Sequence, residues 1–292
     1  MSREIYNSEE LAMFKKVQRI AYEAVCKVAE RLEPGMTEKQ AASMVAEELN
    51  KEGVRRYFHR PFAWFGDRTK FADFKKIGTL SFWKLFGLPH FGKQFQPSDR
   101  RLTEGMPVIL DVAPTIDGYA ADIGYATWCG TNVEVEQARM DLRKYRSLIL
   151  KGVRNGSYLS TIYEDVDLAI ERDGYTNVHS YYPGSVLGHK VGRLPLMRFP
   201  AMTVLGFDVQ SLLYLGRQQI KGIFGSDPLW GPESHFPAEP GLWAVEPHIG
   251  TSDGIGVKWE EILVVTESDA YWLDDDLPHV KYWQGQEWKR TA

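Results

Sequence analysis

The chain has 292 residues, with 43% hydrophobic and 25% charged side chains, a composition typical of a folded globular protein. Its formal net charge of −4 gives no sign of a basic nucleic-acid footprint, so we expect no nucleic-acid partner. No apolar run reaches the ~18 residues of a membrane span, and the N-terminus is too polar for a signal peptide. We therefore expect no membrane partner and a cytoplasmic location. Cys26 and Cys129 lack metal-finger spacing and are expected to be reduced thiols.

The N-terminal sequence predicts two amphipathic helices. Residues 8–31 place apolar side chains at helical spacing, and Ser8 is the candidate N-cap. Thr37 is the candidate cap of a second helix, which runs to about Glu52 and ends at Gly53. Together they predict a helical start to the domain.

A similar helical pattern returns about 120 residues later in the chain. Residues 132–153 predict a long helix, and a second helix follows to about Asp173. In each half a glycine precedes the second helix and another ends it; these are Gly35 and Gly53, then Gly156 and Gly174. The equal spacing indicates two related α+β halves, with a site between them that takes ligands from both.

The dipeptide Asp117-Gly118 stands between two apolar runs and predicts a β-hairpin with a two-residue turn. That register puts Asp111 opposite Gly124, with Asp122 one diagonal step away on the same face. Two carboxylates among apolar neighbours repel each other, and each raises the pKa of the other unless a cation lies between them.

The C-terminal third repeats this arrangement. A turn around Asp253-Gly254 joins two apolar strands and places Glu246 roughly opposite Glu260. Like charges directly opposite each other destabilise a sheet. A single carboxylate in a strand is usually a solvent-facing residue. Four carboxylates in matched hairpins instead favour a divalent cation, because hard cations take carboxylate oxygens.

His189 lies in a glycine-rich segment, directly after Gly188 and shortly before Gly192. These glycines permit close approach of the backbone, which suits a metal ligand. A lone histidine is more often structural or solvated, so His189 becomes a candidate ligand only in the company of the carboxylates.

With these motifs the chain resembles the pita-bread-fold metallopeptidases, which include methionine aminopeptidase, aminopeptidase P, prolidase and creatinase. The family pattern is an Asp, a second Asp eleven residues on, a His between glycines, a Glu before Pro and a Glu in a late strand. Here those positions are held, in order, by Asp111, Asp122, His189, Glu246 and Glu260. The segment EPGMTEKQAA matches the family's helix start, and the resemblance covers roughly residues 8–267. It implies an α+β pita-bread fold with internal pseudo-two-fold symmetry.

The resemblance also predicts how the chain is organised. We expect a single catalytic metallopeptidase-like domain over residues 1–292, without the extra N-terminal domain of prolidase, aminopeptidase P and creatinase. Irregular insertions are expected at about 67–89 and 193–240, and an acidic-aromatic tail at 268–292. The family likeness further suggests a homodimer.

The resemblance implies a cofactor of two divalent metal ions, which are Mn, Co, Fe or Zn in the family. It makes Asp111 and Glu260 the bridging ligands, with Asp122 on one ion and His189 and Glu246 on the other. A metal-bridging hydroxide would attack the substrate carbonyl. Glu246 would be catalytic, because it would carry the proton from water to the leaving amine.

Family peptidases also use histidines beside the metals. His90, in a Leu-Pro-His segment before the first Asp, is the predicted catalytic histidine, and His59 is its rival as a substrate-binding residue. The second family histidine should follow His189, but no histidine stands there. His248 is the predicted substrate-binding replacement in space, and His235 is the other candidate.

The leading hypothesis is a dinuclear-metal-dependent aminopeptidase or dipeptidase of the Xaa-Pro type that acts on a small peptide. One alternative is a creatinase-like hydrolase that acts on a non-peptide small molecule, and another is a catalytically altered binding member of the fold. The complete ligand set argues for metal-dependent catalysis. The missing second histidine is the feature that favours the alternatives.

Overall fold

The computed structural model describes residues 6–72, 95–182, 184–195, 203–204, 206–211, 213–214 and 228–286. No helix in these ranges has the length and apolar character needed to cross a membrane. Of the predicted insertions, the one at 67–89 falls mostly outside the described residues, and the one at 193–240 falls partly outside them.

The first helix, α1 (Ser8–Ala29), begins one residue earlier than a cap at Ser8 would give. Asn7 is the N-cap, because its side chain accepts a hydrogen bond from the Glu10 N–H. The Glu10 carboxylate accepts the Asn7 N–H in return, at 3.1 Å. This reciprocal capping box requires an acidic or amide residue three positions after the cap, which Asn7 has.

Five further helices follow in the described residues: α2 (Glu38–Lys51), α3 (Val133–Asp141), α4 (Arg143–Arg154), α5 (Leu159–Arg172) and α6 (Pro278–Trp283). Thr37 caps α2, as predicted. The long helix predicted over 132–153 is two helices, divided at Leu142. Its carbonyl accepts both the Tyr145 N–H, in a tight turn, and the Trp259 indole N–H, so the regular helical bonding is interrupted there.

The described strands are short, and most of them belong to antiparallel hairpins. They are β1 (Arg56–Phe65), β2 (Pro107–Ile116), β3 (Tyr119–Ala120), β4 (Ile123–Trp128), β5 (Thr176–Asn177), β6 (Gly188–Val191), β7 (Thr203–Val204), β8 (Phe207–Asp208), β9 (Leu229–Trp230), β10 (Gly241–Val245), β11 (His248–Gly250), β12 (Gly256–Lys258), β13 (Glu261–Val265) and β14 (Ala270–Trp272). They form sheets of six, five and three strands.

The first sheet has the order β3-β2-β1-β8-β7, and β4 also pairs with β2. The predicted hairpin is confirmed, since Asp117 and Gly118 both have positive φ angles, of 52° and 84°. The register is the predicted one, with Asp111 directly opposite Gly124. The predicted irregular segment contributes β7 and β8, which extend this sheet beyond β1.

The second sheet has the order β14-β13-β10-β6-β9, and β12-β11-β5 form the third. Val245 pairs with Glu261, and His248 pairs with Lys258, so one register runs through both hairpin segments. In that register Glu246 lies opposite Glu260, as predicted. Each predicted long strand is nevertheless divided at its glutamate. Pro247 contributes to the division because it has no N–H for the ladder.

Each half of the chain joins a helix pair to an antiparallel sheet. Helices α1 and α2 pack together and against the first sheet, whereas α4 and α5 pack together and α4 contacts β14. The halves meet where Glu260 donates its N–H to the Gly124 carbonyl, at 3.2 Å, and where Tyr125 and Trp259 form a β-bridge. The carboxylates of both hairpins therefore lie close together.

The described part of the C-terminal tail is an integral part of this structure. Strand β14 pairs with β13 at the edge of the second sheet. The rings of Trp272 and Trp283 pack edge-on against buried Trp259, and His279 stacks on its face. The aromatic content of the tail thus completes the hydrophobic core of the C-terminal half.

Candidate metal centre

The five predicted ligand residues lie together at the junction of the two halves. Asp111 is inside β2 and His189 is inside β6, whereas the other three lie where strands are interrupted. These three are Asp122 between β3 and β4, Glu246 after β10, and Glu260 between β12 and β13. An interruption frees the side chain from the strict alternation of a strand, so neighbouring carboxylates can turn towards one point.

Within the described ranges, two groups of side chains have ligand atoms within 4.8 Å of one another, and both groups contain Asp122. His59 and Asp111 complete the first group, and His189 and Glu260 complete the second. Asp122 directs Oδ1 to His59, at 3.1 Å, and Oδ2 to His189, at 3.4 Å. The expected bridging pair was Asp111 and Glu260. Asp122 is the carboxylate that both groups share, and bridging by Asp111 and Glu260 stays a prediction.

His189 directs its Nε2 atom at the second group. Its Nδ1 lies 3.3 Å from the Lys190 carbonyl, which can only accept a hydrogen bond, so Nδ1 carries the proton. Nε2 then faces Asp122 Oδ2 at 3.4 Å and Glu260 Oε1 at 4.0 Å. A histidine fixed by a backbone carbonyl at one nitrogen and directed at carboxylates with the other has the orientation of a metal ligand.

His59 lies inside the cluster, between two of its aspartates. Its Nε2 is 3.1 Å from Asp122 and 3.3 Å from Asp111, and its Nδ1 is 2.9 Å from the Arg60 carbonyl. Burial opposes protonation, but Asp122 and Asp111 outweigh it and raise the pKa of His59 to about 9. The ring is engaged between two aspartates, and its substrate-binding role stays a prediction. Shifts in the β1–β2 register on either side of His59 accompany this placement.

Lys258 is the residue of the cluster that sequence reasoning missed. Its ammonium group donates to Asp111 at 2.7 Å, to Glu246 at 2.8 Å and to Glu260 at 3.0 Å. Burial opposes its charge, but these three carboxylates outweigh that effect and raise the pKa of Lys258 well above its ordinary value. A signal was available, because Lys258 is two residues before Glu260 and strand periodicity puts both on one face.

The pKa shifts of the carboxylates show an excess of negative charge. Burial, followed by repulsion from Asp122 and Glu246, raises the pKa of Glu260 well above its ordinary value. Burial also raises the pKa of Glu246 despite the nearby Lys258 ammonium. For Asp122 the effect of burial is outweighed by His59 and His189, and its pKa is lowered. A buried set of carboxylate oxygens and one imidazole nitrogen with this excess of charge fits a divalent metal ion at the second group.

The other predicted histidines do not join this cluster in the described residues. His90 lies outside the described residues. His248 is fully buried, and its Nδ1 lies 2.8 Å from the Tyr182 hydroxyl while Phe71 packs edge-on against its ring. His248 is thus enclosed in this structure, and its substrate-binding role stays a prediction. The side chain of His235 is 68% exposed and contacts Ser160 rather than the aspartates of the cluster.

Residues 12–267 match metallopeptidase family M24, and the chain belongs to that family. Among curated proteins, a methionine aminopeptidase from Aquifex aeolicus is 24% identical over 202 residues, covering 66% of this chain and 70% of the relative. The family prediction is thus confirmed, and this class of protein is one of divalent-metal-dependent peptidases.

Solved structures confirm the pita-bread fold. An X-Pro aminopeptidase from Thermotoga maritima aligns over 93% of this chain and 62% of its own length, with 20% identity and a TM-score of 0.63. A dipeptidase from Pyrococcus horikoshii has a TM-score of 0.62, at 20% identity, with 93% of this chain and 61% of its own length covered. A methionine aminopeptidase from Thermotoga maritima aligns over 94% of this chain and 99% of its own length, with 18% identity and a TM-score of 0.57. The chain thus spans about three fifths of the first two proteins and nearly all of the third.

Proposed function

We propose that this chain is a metal-dependent aminopeptidase or dipeptidase that hydrolyses short peptides of the Xaa-Pro type. The observation that carries the proposal is the group of Asp122, His189 and Glu260, whose ligand atoms converge within 4.8 Å in a chain of family M24. The X-Pro aminopeptidase and dipeptidase among the similar structures support the choice of substrate.

A divalent ion held by this group would polarise the substrate carbonyl and make water acidic enough to serve as a nucleophile near neutral pH. Glu246 belongs to the same cluster and has a pKa that burial raises. A carboxylate with a raised pKa suits proton transfer, so Glu246 would accept a proton from water and donate it to the leaving amine. Lys258 would orient Glu246 for this task through its 2.8 Å hydrogen bond.

The test is turnover of a dipeptide panel by metal-stripped protein, before and after addition of Mn²⁺ or Co²⁺. The panel compares Ala-Pro and Gly-Pro with Ala-Ala and Met-Ala, and Asp122→Asn serves as the matched inactive control. We expect metal-dependent cleavage of the proline peptides and at least a hundredfold loss in Asp122→Asn. Cleavage that is insensitive to chelation, or a panel with no cleaved member, would contradict the proposal.

A second candidate function has one specific observation in its favour. In the described residues neither His248 nor His235 takes the place of the missing second family histidine, since one is enclosed in the core and the other is exposed. A creatinase-like hydrolase of a non-peptide small molecule would not need that histidine to hold a peptide. Hydrolysis of a guanidino or simple amide compound, with the peptide panel left intact, would favour this alternative.

A further inference from the structure

The Lys258 ammonium group lies where a metal ion would be expected from the sequence. It donates to Asp111 Oδ2, Glu246 Oε2 and Glu260 Oε2 over distances of 2.7 to 3.0 Å. All three acceptors are predicted metal ligands. The lysine side chain is only 2% exposed, so no solvent screens these contacts.

These contacts use most of the oxygen atoms on one side of the cluster. Asp111 is engaged at both oxygens, because Oδ2 accepts from Lys258 and Oδ1 lies 3.3 Å from His59 Nε2. Glu260 instead divides its oxygens, with Oε2 on Lys258 and Oε1 directed at His189, 4.0 Å away. The oxygens that remain for a metal ion therefore face His189, not Asp111.

The fold makes room for the lysine through a glycine. Gly124 lies directly opposite Asp111 in the β2–β4 ladder. A Cβ atom at Gly124 would lie 2.3 Å from Lys258 Cε and 2.9 Å from its Nζ, which is too close for the side chain to remain. The absence of a side chain at this position is thus matched to the presence of the lysine.

We propose that the Lys258 ammonium group replaces the second divalent ion, so that the chain binds a single ion between Asp122, His189 and Glu260. The inference rests on the proposed function, because it assumes that this group holds a metal. An ion at bonding distance from Asp111, Glu246 and Glu260 would have to lie against Nζ. Two cations in contact at a buried site repel each other strongly. The tethered ammonium supplies fixed positive charge but no open coordination position.

The test is the number of Mn²⁺ ions per chain, measured by calorimetric titration and elemental analysis, together with the electron paramagnetic resonance spectrum. We expect one ion and the spectrum of isolated Mn²⁺ in the wild-type protein. Lys258→Ala removes the charge and the bulk, and Gly124→Ala displaces the lysine while leaving every charge in the chain. Both variants should bind a second ion and show the spectrum of a spin-coupled pair. Lys281→Ala is the matched control, because Lys281 pairs with Asp276, and it should bind one ion.

Two bound ions and a coupled spectrum in the wild-type protein would overturn the inference, as would a single ion in both folded variants. If Lys258→Ala fails to fold, Gly124→Ala and the wild-type count still decide the question. No bound ion in the wild-type protein or in any variant would be a different result, since it would defeat the proposed function itself.

Discussion

At the scale of single residues, the candidate site is a network of charges in which the carboxylates share their cationic partners. His59 lies between Asp122 and Asp111, and Lys258 joins Asp111 to Glu246 and Glu260. Buried charges are tolerated only when they are paired in this way. The pattern leaves Asp122, His189 and Glu260 with atoms directed at a common point.

His59 should therefore affect metal affinity without being a direct requirement for folding. We expect His59→Gln to weaken Mn²⁺ binding by about 10- to 100-fold, because partners that orient a ligand contribute about this much to affinity. Calorimetric titration measures the change, and His235→Gln is the control at an exposed histidine. Equal affinity in His59→Gln and the wild-type protein would show that the ring does not orient Asp122.

Asp167 in α5 predicts a pH-dependent stability that is independent of the metal centre. Burial and then repulsion from Glu171 raise its pKa from 3.8 to about 7, against a hydrogen bond from Asn177. The folded state therefore binds this proton more tightly than the unfolded state, and the stability contributed by Asp167 falls as pH rises from 3.8 to about 7.

Asp167→Asn should then raise Tm by roughly 3 °C at pH 8, for a change of about 1 kcal/mol in a chain of this size. At pH 4 the two proteins should melt at similar temperatures, because the wild-type carboxyl is protonated in the folded state. Circular dichroism melts at both pH values measure the difference. A shift of the same size at pH 4 and pH 8 would rule out titration of Asp167 as its cause.

At the scale of secondary-structure elements, the sequence was most informative where local chemistry determines geometry. The Asp117-Gly118 turn sets the β2–β4 register, and the predicted pairing of Asp111 with Gly124 is confirmed. The division of the strands at Glu246 and Glu260 was not predicted. The division at Glu260 depends on contacts between the halves, such as the hydrogen bond from Glu260 to Gly124, which no local pattern contains.

The difference between local patterns and contacts distant in sequence also explains which site residues could be predicted. Ligands in matched hairpins were recognisable from residue type and spacing. The place of His59 depends on irregular pairing in β1, and that of Lys258 depends on the space left by Gly124 in another strand. The role of the tail was also hidden, because its tryptophans pack on Trp259 from a distant part of the chain.

The tail contacts a buried ion pair whose loss should be costly. Arg146 in α4 makes two hydrogen bonds to buried Glu261, at 2.6 and 3.1 Å, and His279 of α6 lies 3.0 Å from the same carboxylate. Arg146→Met should lower the free energy of unfolding by about 3–5 kcal/mol, because it leaves a buried charge without its partner.

Urea denaturation of Arg146→Met measures this loss. The double variant Arg146→Met with Glu261→Met should recover much of it, since no unpaired charge remains. Arg154→Met is the control at a 47% exposed arginine, which pairs with Asp269 and should cost about 1 kcal/mol or less. A loss in Arg146→Met no larger than in the control would mean that the buried pair does not stabilise the fold.

At the scale of the whole molecule, the two halves form one site only when they are packed together. Asp111 and Asp122 come from the first half, and His189, Glu246, Lys258 and Glu260 come from the second. A bound ion should therefore stabilise the packed halves, because it binds the folded state and not the unfolded chain. We expect Mn²⁺ at a hundred times its Kd to add about 2.7 kcal/mol to the free energy of unfolding.

Thermal unfolding with and without Mn²⁺ measures this coupling. Asp122→Asn should remove the stabilisation, because Asp122 belongs to both candidate ligand groups. The control is buffer without Mg²⁺ that contains a chelator. In it the wild-type protein and Asp122→Asn should show no metal-dependent stabilisation. Stabilisation by Mn²⁺ that persists in Asp122→Asn would place the ion elsewhere.

The most direct test of the whole account is a crystal structure of the Mn²⁺-loaded protein with anomalous scattering data. We predict one strong anomalous peak within bonding distance of Asp122 Oδ2, His189 Nε2 and Glu260 Oε1, with the Lys258 ammonium still in contact with Asp111. No peak at this position, or a second peak in the place of a displaced Lys258 side chain, would contradict the account.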